Sequence, residues 1–231
     1  MTQTCESGSM FQKLASDSGI YAVSAASPTE SSWGCYCSPD DVIMGKHIGS
    51  CLGDLFSVNW IEDSDESNAK ESLQDQYEIV KKKTNRSKVM QWGDLSFLQD
   101  PVDDFIGKSK KGNLATENIR LIRPLRAVGR KPASKSAHFN SRTNKLQSLS
   151  ALYARERSHA VFQEMMEEMA DMQRYDSSFN RLSVRLGLTG SYNDKDLQSE
   201  CIKETFEKYE QKCGRFSDYG LKYVSNFAEA C

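Results

Sequence analysis

An α/β region followed by an all-α region is the fold class this sequence predicts, and three observations carry it. Two small apolar runs, Gly19 to Ala26 and Ser87 to Trp92, have the length and polar flanks of strands and bracket a helical pattern. From residue 146 onward, apolar residues recur at helical spacing. Between the two regions, residues 108–145 hold eleven lysines and arginines against one acid, Glu117, a net of +10.

The first region covers residues 1–107. Cys5 precedes small polar residues and then a helical stretch from Met10 to Leu14. Gly19 to Ala26 is the first strand. Cys51 to Trp60 is apolar enough to be buried, and its type stays open between helix and strand. Asn68 to Thr84 sets Leu73, Tyr77 and Val80 on one helical face, with acids early and lysines at the end, as the helix dipole favours. Ser87 to Trp92 closes the region. Two or three strands are fewer than a parallel α/β sheet of ordinary size uses. Residues 108–145 contain Pro124, Pro132 and frequent Gly and Ser, the composition of a linker with little core of its own. Such a stretch is solvated, docks on an acidic surface, or offers a protease site. In residues 146–231, Ala151 to Met172 carries Leu152, Val161, Phe162, Met165, Met166 and Met169, a packing face rather than a metal or cofactor box. A second helix runs from Tyr175 to Leu186 and stops before Gly187. Asp194 opens a third, with Leu197, Cys201, Phe206 and Tyr209. Ser217 to Cys231 is the fourth.

The net charge of -2 argues against nucleic-acid or anionic-membrane binding by the chain as a whole. No apolar run approaches the ~18 residues of a membrane span. The opening residues, MTQTCESGSM, lack the charged start and apolar stretch of a signal peptide. The seven cysteines lie at 5, 35, 37, 51, 201, 213 and 231, so at least one is unpaired within the chain. Their spacing matches no zinc pattern, and no metal or other cofactor is expected. Disulfides, and hence an oxidising compartment, are the better reading. The missing signal peptide then implies that part of a longer precursor precedes Met1.

Cys5 holds the sharpest local signal. A cysteine between a strand end and a helix start is either a buried structural thiol or a nucleophile, whose thiolate the helix N-terminus stabilises. Asp63-Ser64-Asp65-Glu66-Ser67-Asn68 hints at a calcium loop but lacks the glycine at its sixth position and the glutamate at its twelfth, where Asn68 and Gln74 stand. By composition it reads instead as a solvated acidic turn. Asn85-Arg86-Ser87 is an N-glycosylation sequon for a protein in the secretory path.

The run CESGSMF, then SSWGCYC, then GSCLGDLFSVNWIEDSD, then KTNRSKVMQWG, resembles the legumains. These are asparaginyl cysteine endopeptidases, called vacuolar processing enzymes in plants and hemoglobinases in blood flukes. GKHIGSCLGDLFSVNW is similar to the fluke branch in particular. Cys201, Cys213, YGLKYV (219–224) and Cys231 resemble the family's helical prodomain. The resemblance implies part of a caspase-like α/β sandwich, residues 1–107, joined through a basic activation segment, 108–145, to a helical prodomain, 146–231. It implies cleavage after asparagine, or aspartate at acid pH, by a Cys/His dyad.

On this resemblance Cys5 is the nucleophile. The dyad histidine stands upstream in the family, in a His-Gly pair; here His47, His138 and His159 all lack a following glycine. Ser32 and Asp54 match positions of the specificity pocket. Gln3 stands where the family usually has glutamate. The resemblance pairs Cys37 with Cys51 and Cys201 with Cys231, and leaves Cys213 free. Asn140 and Asn144 are the candidate activation cleavages, or else ordinary loop asparagines. Opposite charge would hold the basic segment to Asp54 and the acids from Glu62 to Glu66. Peptide substrates and cystatin-type inhibitors are the implied partners, and a lysosomal, vacuolar or secreted location follows. The competing readings are an inactive paralogue that binds peptides or a protease, and a free-standing helical interaction module.

Overall fold

In a computed structural model, residues 1–66, 71–106, 131–189 and 199–231 are described. The start of the expected helix at Asn68, most of the basic stretch, and the helix start at Asp194 fall outside them. The chain divides into two compact units, Met1–Asn144 and Lys145–Cys231.

The first unit is a mixed α/β structure with small sheets. Strand β1 (Tyr21–Ser24) pairs antiparallel with β6 (Met90–Gly93), in the register Tyr21 to Gly93. On its other side β1 meets Thr2 in a single parallel bridge, so the residues leading to Cys5 run alongside it. A second sheet has the order β5-β2-β7, built from β2 (Trp33–Cys35), β5 (Gly53–Asp54) and β7 (Phe139–Asn140). A two-residue-per-strand hairpin, β3 (Val42–Ile43) and β4 (Lys46–His47), stands apart.

The ambiguous stretch from Cys51 divides: Gly53–Asp54 joins β2, and helix α1 (Leu55–Glu66) follows at once. Helix α2 (Leu73–Lys83) starts later than its composition suggests. Ser72 caps it, accepting from the Asp75 N–H while the Asp75 carboxylate accepts from the Ser72 N–H, and three lysines end it. A short α3 (Asp103–Ile106) closes this stretch. The main apolar cluster is Ala25, Phe56, Tyr77, Val80 and Val89, with Trp60 against it. Its polar edge is satisfied: Trp60 Nε1 donates to Gln76 Oε1 at 2.8 Å, and Asn59 Nδ2 to Thr84 Oγ1 at 3.1 Å.

Residues 131–144 differ from the linker that composition implies. Ala133 is fully buried in a cluster with Cys35, Tyr36 and Leu55. The segment then runs antiparallel to β2 as β7. We refer to residues 131–144 as the strap.

The second unit is helical. The expected helix from Ala151 to Met172 is interrupted: α4 (Asn144–Glu156) ends where Arg157 turns left-handed (φ 52°), and α5 (His159–Leu186) starts after Ser158. No breaker separates Met172 from Tyr175, so the two expected helices form one 28-residue α5, ending at Gly187 in the left-handed conformation. Helix α6 (Ser199–Cys213) and α7 (Val224–Ala230) complete it, with a tight helical turn over Gly220–Tyr223 where a longer fourth helix was expected. Tyr175, Phe179 and Phe227 form the core, ringed by Phe206, Tyr209, Phe216 and Tyr223. Phe179 and Tyr223 stack at 4.6 Å. Gly220 lies so close to Tyr175 that a Cβ there would sit 2.5 Å from the ring.

Candidate active site

The chain reaches Cys5 from the Thr2 bridge and turns sharply. Glu6 is left-handed (φ 57°), a conformation uncommon for a side chain of that kind. It is held at both ends: its N–H donates to Glu30 O at 2.7 Å, and its carboxylate pairs with Arg142 at 3.0 Å. A tight helical turn, Ser7–Phe11, follows. Gly8 can pack there only because it lacks a side chain, since a Cβ would lie 2.9 Å from Pro28 and from Trp92.

The expected helix N-terminus behind the sulfur is therefore a five-residue turn that starts at Ser7 rather than Met10, too short for a helix dipole to build. What reaches the sulfur is Ser32. Its backbone N–H donates to Cys5 Sγ at 3.3 Å, and its hydroxyl lies 3.6 Å away. Cys5 is a free thiol and half-buried.

The strap lies against the same serine. Ser141 N–H donates to Ser32 O at 3.1 Å, and the two hydroxyls are 3.2 Å apart. Trp33 faces Asn140 and Gly34 faces Phe139 across the β2–β7 pairing. The Asn140–Ser141 peptide is thus beside the thiol's own partner. The Asn140 side chain accepts from Arg142 N–H at 3.0 Å and so is turned back on its own backbone. Asn144 opens α4, with its side-chain oxygen 3.1 Å from Cys51 Sγ; a disulfide sulfur carries no hydrogen, so this is a contact rather than a donated bond.

Two further expected residues, Asp54 and Gln3, lie in the same unit. Asp54 faces Gly34 across β2 and β5. Desolvation of its carboxyl raises its pKa above the ordinary range. Gln3 Oε1 is buried and has no hydrogen-bond partner. Among the described residues, no hydrogen bond joins either to Cys5. Of the acids expected to hold the basic segment, Glu62 accepts from Tyr36 OH and Asp63 pairs with Lys83. The strap instead pairs through Arg142 with Glu6 and through Lys131 with Asp40.

Two histidines lie in this unit, and neither bonds Cys5. His47 Nδ1 is 2.6 Å from the buried Asp41 carboxylate, which also accepts from Gly49 N–H. Desolvation pushes the Asp41 pKa up, but these bonds outweigh it and hold the group below its ordinary value. His138 sits in the strap, between Arg86 and the Ala133 carbonyl. His159 begins α5 in the helical unit.

Cys37 and Cys51 are disulfide-bonded, as are Cys201 and Cys231; Cys5, Cys35 and Cys213 are free. Asn85 is exposed after α2, its amide donating to Ser134 O at 3.4 Å. No cluster of metal-ligating side chains occurs among the described residues, and no described helix is long and apolar enough to cross a membrane. Motif reading named Cys5, Ser32 and Asn140 but missed Glu6, Ser141 and Arg142. The opposite charges of Glu6 and Arg142, each next to a named candidate or one removed, were the available signal.

Residues 1–108 match the Peptidase C13 family, and residues 163–231 match the legumain prodomain. The chain is 31% identical over 252 residues to a vacuolar-processing enzyme of Vicia sativa, covering 99% of this chain and 50% of that protein. It is 31% identical over 248 residues to the vacuolar-processing enzyme delta-isozyme of Arabidopsis thaliana, covering 99% and 52%. To the vacuolar-processing enzyme beta-isozyme 1 of Oryza sativa subsp. indica it is 30% identical over 250 residues, covering 99% and 49%. The chain belongs to the legumain, or peptidase C13, family, and spans about half the length of the curated relatives it matches.

Proposed function

We propose that this chain carries the nucleophile and the inhibitory strap of an endopeptidase that cuts after asparagine, or aspartate at acid pH, in a vacuolar or lysosomal compartment. One observation carries the reading: the backbone N–H of Ser32 reaches Cys5 Sγ while Ser32 also holds Ser141 of the strap. Cleavage would proceed by attack of the thiolate on the backbone carbonyl carbon of the asparagine itself. The amine leaves with a proton, and water hydrolyses the thioester. Ser32, Gln3 and Asp54 would receive the asparagine side chain, Gln3 through its unpartnered oxygen. The strap would be released by cuts after Asn140 and Asn144, and Asn85 would carry a glycan. The basic segment 108–145 and the helical unit would then act as activation segment and prodomain.

The competing reading, an inactive paralogue that binds peptides, is favoured by Cys5 having no imidazole bonded to it within its unit. A base in that position accounts for orders of magnitude in rate. The expected outcome is therefore twofold. The chain alone does not turn over an Ala-Ala-Asn reporter, yet an electrophilic peptide ending in asparagine labels Cys5 faster than its alanine analogue once the strap is cut. Treatment with an active legumain at acid pH should expose new N-termini at Ser141 or Lys145. Reporter turnover that disappears in Cys5→Ala would overturn the first expectation. Equal labelling by both peptides would favour the paralogue reading. A strap that resists while other asparagines are cut would refute the release sites.

A further inference from the structure

The strap's first turn is fastened to the first unit on two sides: the Asp40 carboxylate accepts from Ala137 N–H at 2.7 Å and pairs with Lys131, and His138 makes the second attachment. His138 Nε2 lies 2.7 Å from Ala133 O, and a carbonyl can only accept, so that nitrogen carries a hydrogen. Its Nδ1 lies 3.2 Å from Arg86 Nε. A guanidinium can only donate, so Nδ1 must present a lone pair. Both ring positions are thereby committed, and only the neutral Nε2–H tautomer satisfies both. Arg86 in turn lies over the Trp33 ring at 5.5 Å, and Trp33 is the β2 residue that faces Asn140. One imidazole thus closes the strap's own turn, 133 to 138, and ties that turn to the strand on which the strap is laid.

We infer that His138 and Arg86 form a proton-operated latch that holds the strap against β2 and Ser32 while the imidazole is neutral and loosens it when the imidazole is protonated. The second proton can only enter at Nδ1. It would then point at the Arg86 Nε–H, placing two donors and two positive charges where a hydrogen bond had been. Imidazoles gain that proton between about pH 5 and 8, well above the range in which carboxylates do. The strap also carries two ion pairs, Arg142 with Glu6 and Lys131 with Asp40. The other charged groups on the surrounding elements are Lys88 after α2, Glu30, whose carboxylate accepts from Lys88 N–H, and Lys135 in the strap turn. None of these is bonded to the imidazole, whereas Arg86 meets it directly. The inference needs the strap's position only, and not the peptidase activity proposed above.

The test is amide hydrogen exchange on the intact chain, corrected for intrinsic rates, from pH 7.5 to 5. The reporters are the N–H groups of Cys37, which donates to Ala137 O, and of Ser141, with an α2 amide as reference. In the wild type, strap protection should fall about tenfold relative to α2 on acidification. His138→Gln keeps a donor and an acceptor at every pH and should abolish that fall. Arg86→Gln keeps a donor but removes the charge and should reduce it. Equal pH dependence in the wild type and His138→Gln would overturn the latch. So would a neutral-pH nitrogen NMR spectrum of the wild type showing the His138 proton on Nδ1, a measurement that needs no variant to fold.

Discussion

The two units solve the problem of a small core in opposite ways. The helical unit concentrates its apolar surface in one aromatic stack around Phe179, which touches Tyr175, Tyr209, Phe216, Tyr223 and Phe227. The α/β unit spreads its burial over two small clusters and relies on hydrogen bonds at the seams, many of which converge near Cys5. Each unit has one disulfide, spanning 14 and 30 residues, and loop-closure entropy differs little between such spans, roughly 3 against 3.5–4 kcal/mol. The difference between the units therefore lies in how their side chains pack. A stack is rigid and indifferent to charge. A seam that includes ion pairs and an imidazole answers to protons.

The sharpest way to break this comparison is to remove the centre of the stack. Phe179 is 1% exposed, and Phe179→Ala should cost about 3–5 kcal/mol, enough to melt the helical unit at moderate temperature. The three tryptophans, Trp33, Trp60 and Trp92, all lie in the α/β unit, so their fluorescence reads that unit alone. Loss of helical circular dichroism with a native tryptophan spectrum is the expected result. A loss of only ~1 kcal/mol would show that the stack is not the keystone.

A smaller effect sharpens the contrast in pH. Asp176 accepts from Tyr219 OH, Tyr223 OH and Lys222 Nζ. Desolvation pushes its pKa up, but the bonds from Tyr223, Lys222 and Tyr219 outweigh this and the net value is lowered. Burial, with the bond to Asp176 second, pushes Tyr223 up to about 12. A carboxyl with a depressed folded pKa contributes stability that is present above its unfolded value and is lost only as pH falls through the folded one. The helical unit should thus keep its melting temperature from pH 7 to 5 and weaken below about pH 4. Asp176→Asn should lower stability at pH 7 and flatten the acid limb. An acid limb that begins near pH 6 in the helical unit would contradict the distinction drawn here.

The legible parts of the site were those fixed by a local motif. Cys5 and Ser32 could be named because their neighbours follow a family pattern, and Gly187 because a helix needs a left-handed residue to stop. The strap could not be read. Composition averages residues 108–145 into one basic linker, whereas residues 131–144 dock through backbone pairing and the fully buried Ala133, which charge does not reveal. Cys51 to Trp60 stayed ambiguous because Gly53–Asp54 becomes a strand only by pairing with β2, a contact distant in sequence. The interruption at Arg157 was invisible for a related reason: neither Arg157 nor Ser158 forbids a helix.

Asn140 followed by Ser141 is also a site where a protein ages chemically. The nitrogen of the following residue attacks the asparagine amide carbon, ammonia leaves, and the resulting ring opens to aspartate or isoaspartate. In the closed strap both reactants are occupied: Ser141 N–H is held by Ser32 O, and the Asn140 side chain by Arg142 N–H. Opening the strap frees them together. Chain stored open will accumulate aspartate and isoaspartate at position 140, while chain stored closed keeps its asparagine, so the extent of deamidation records how long the strap has stood away from Ser32.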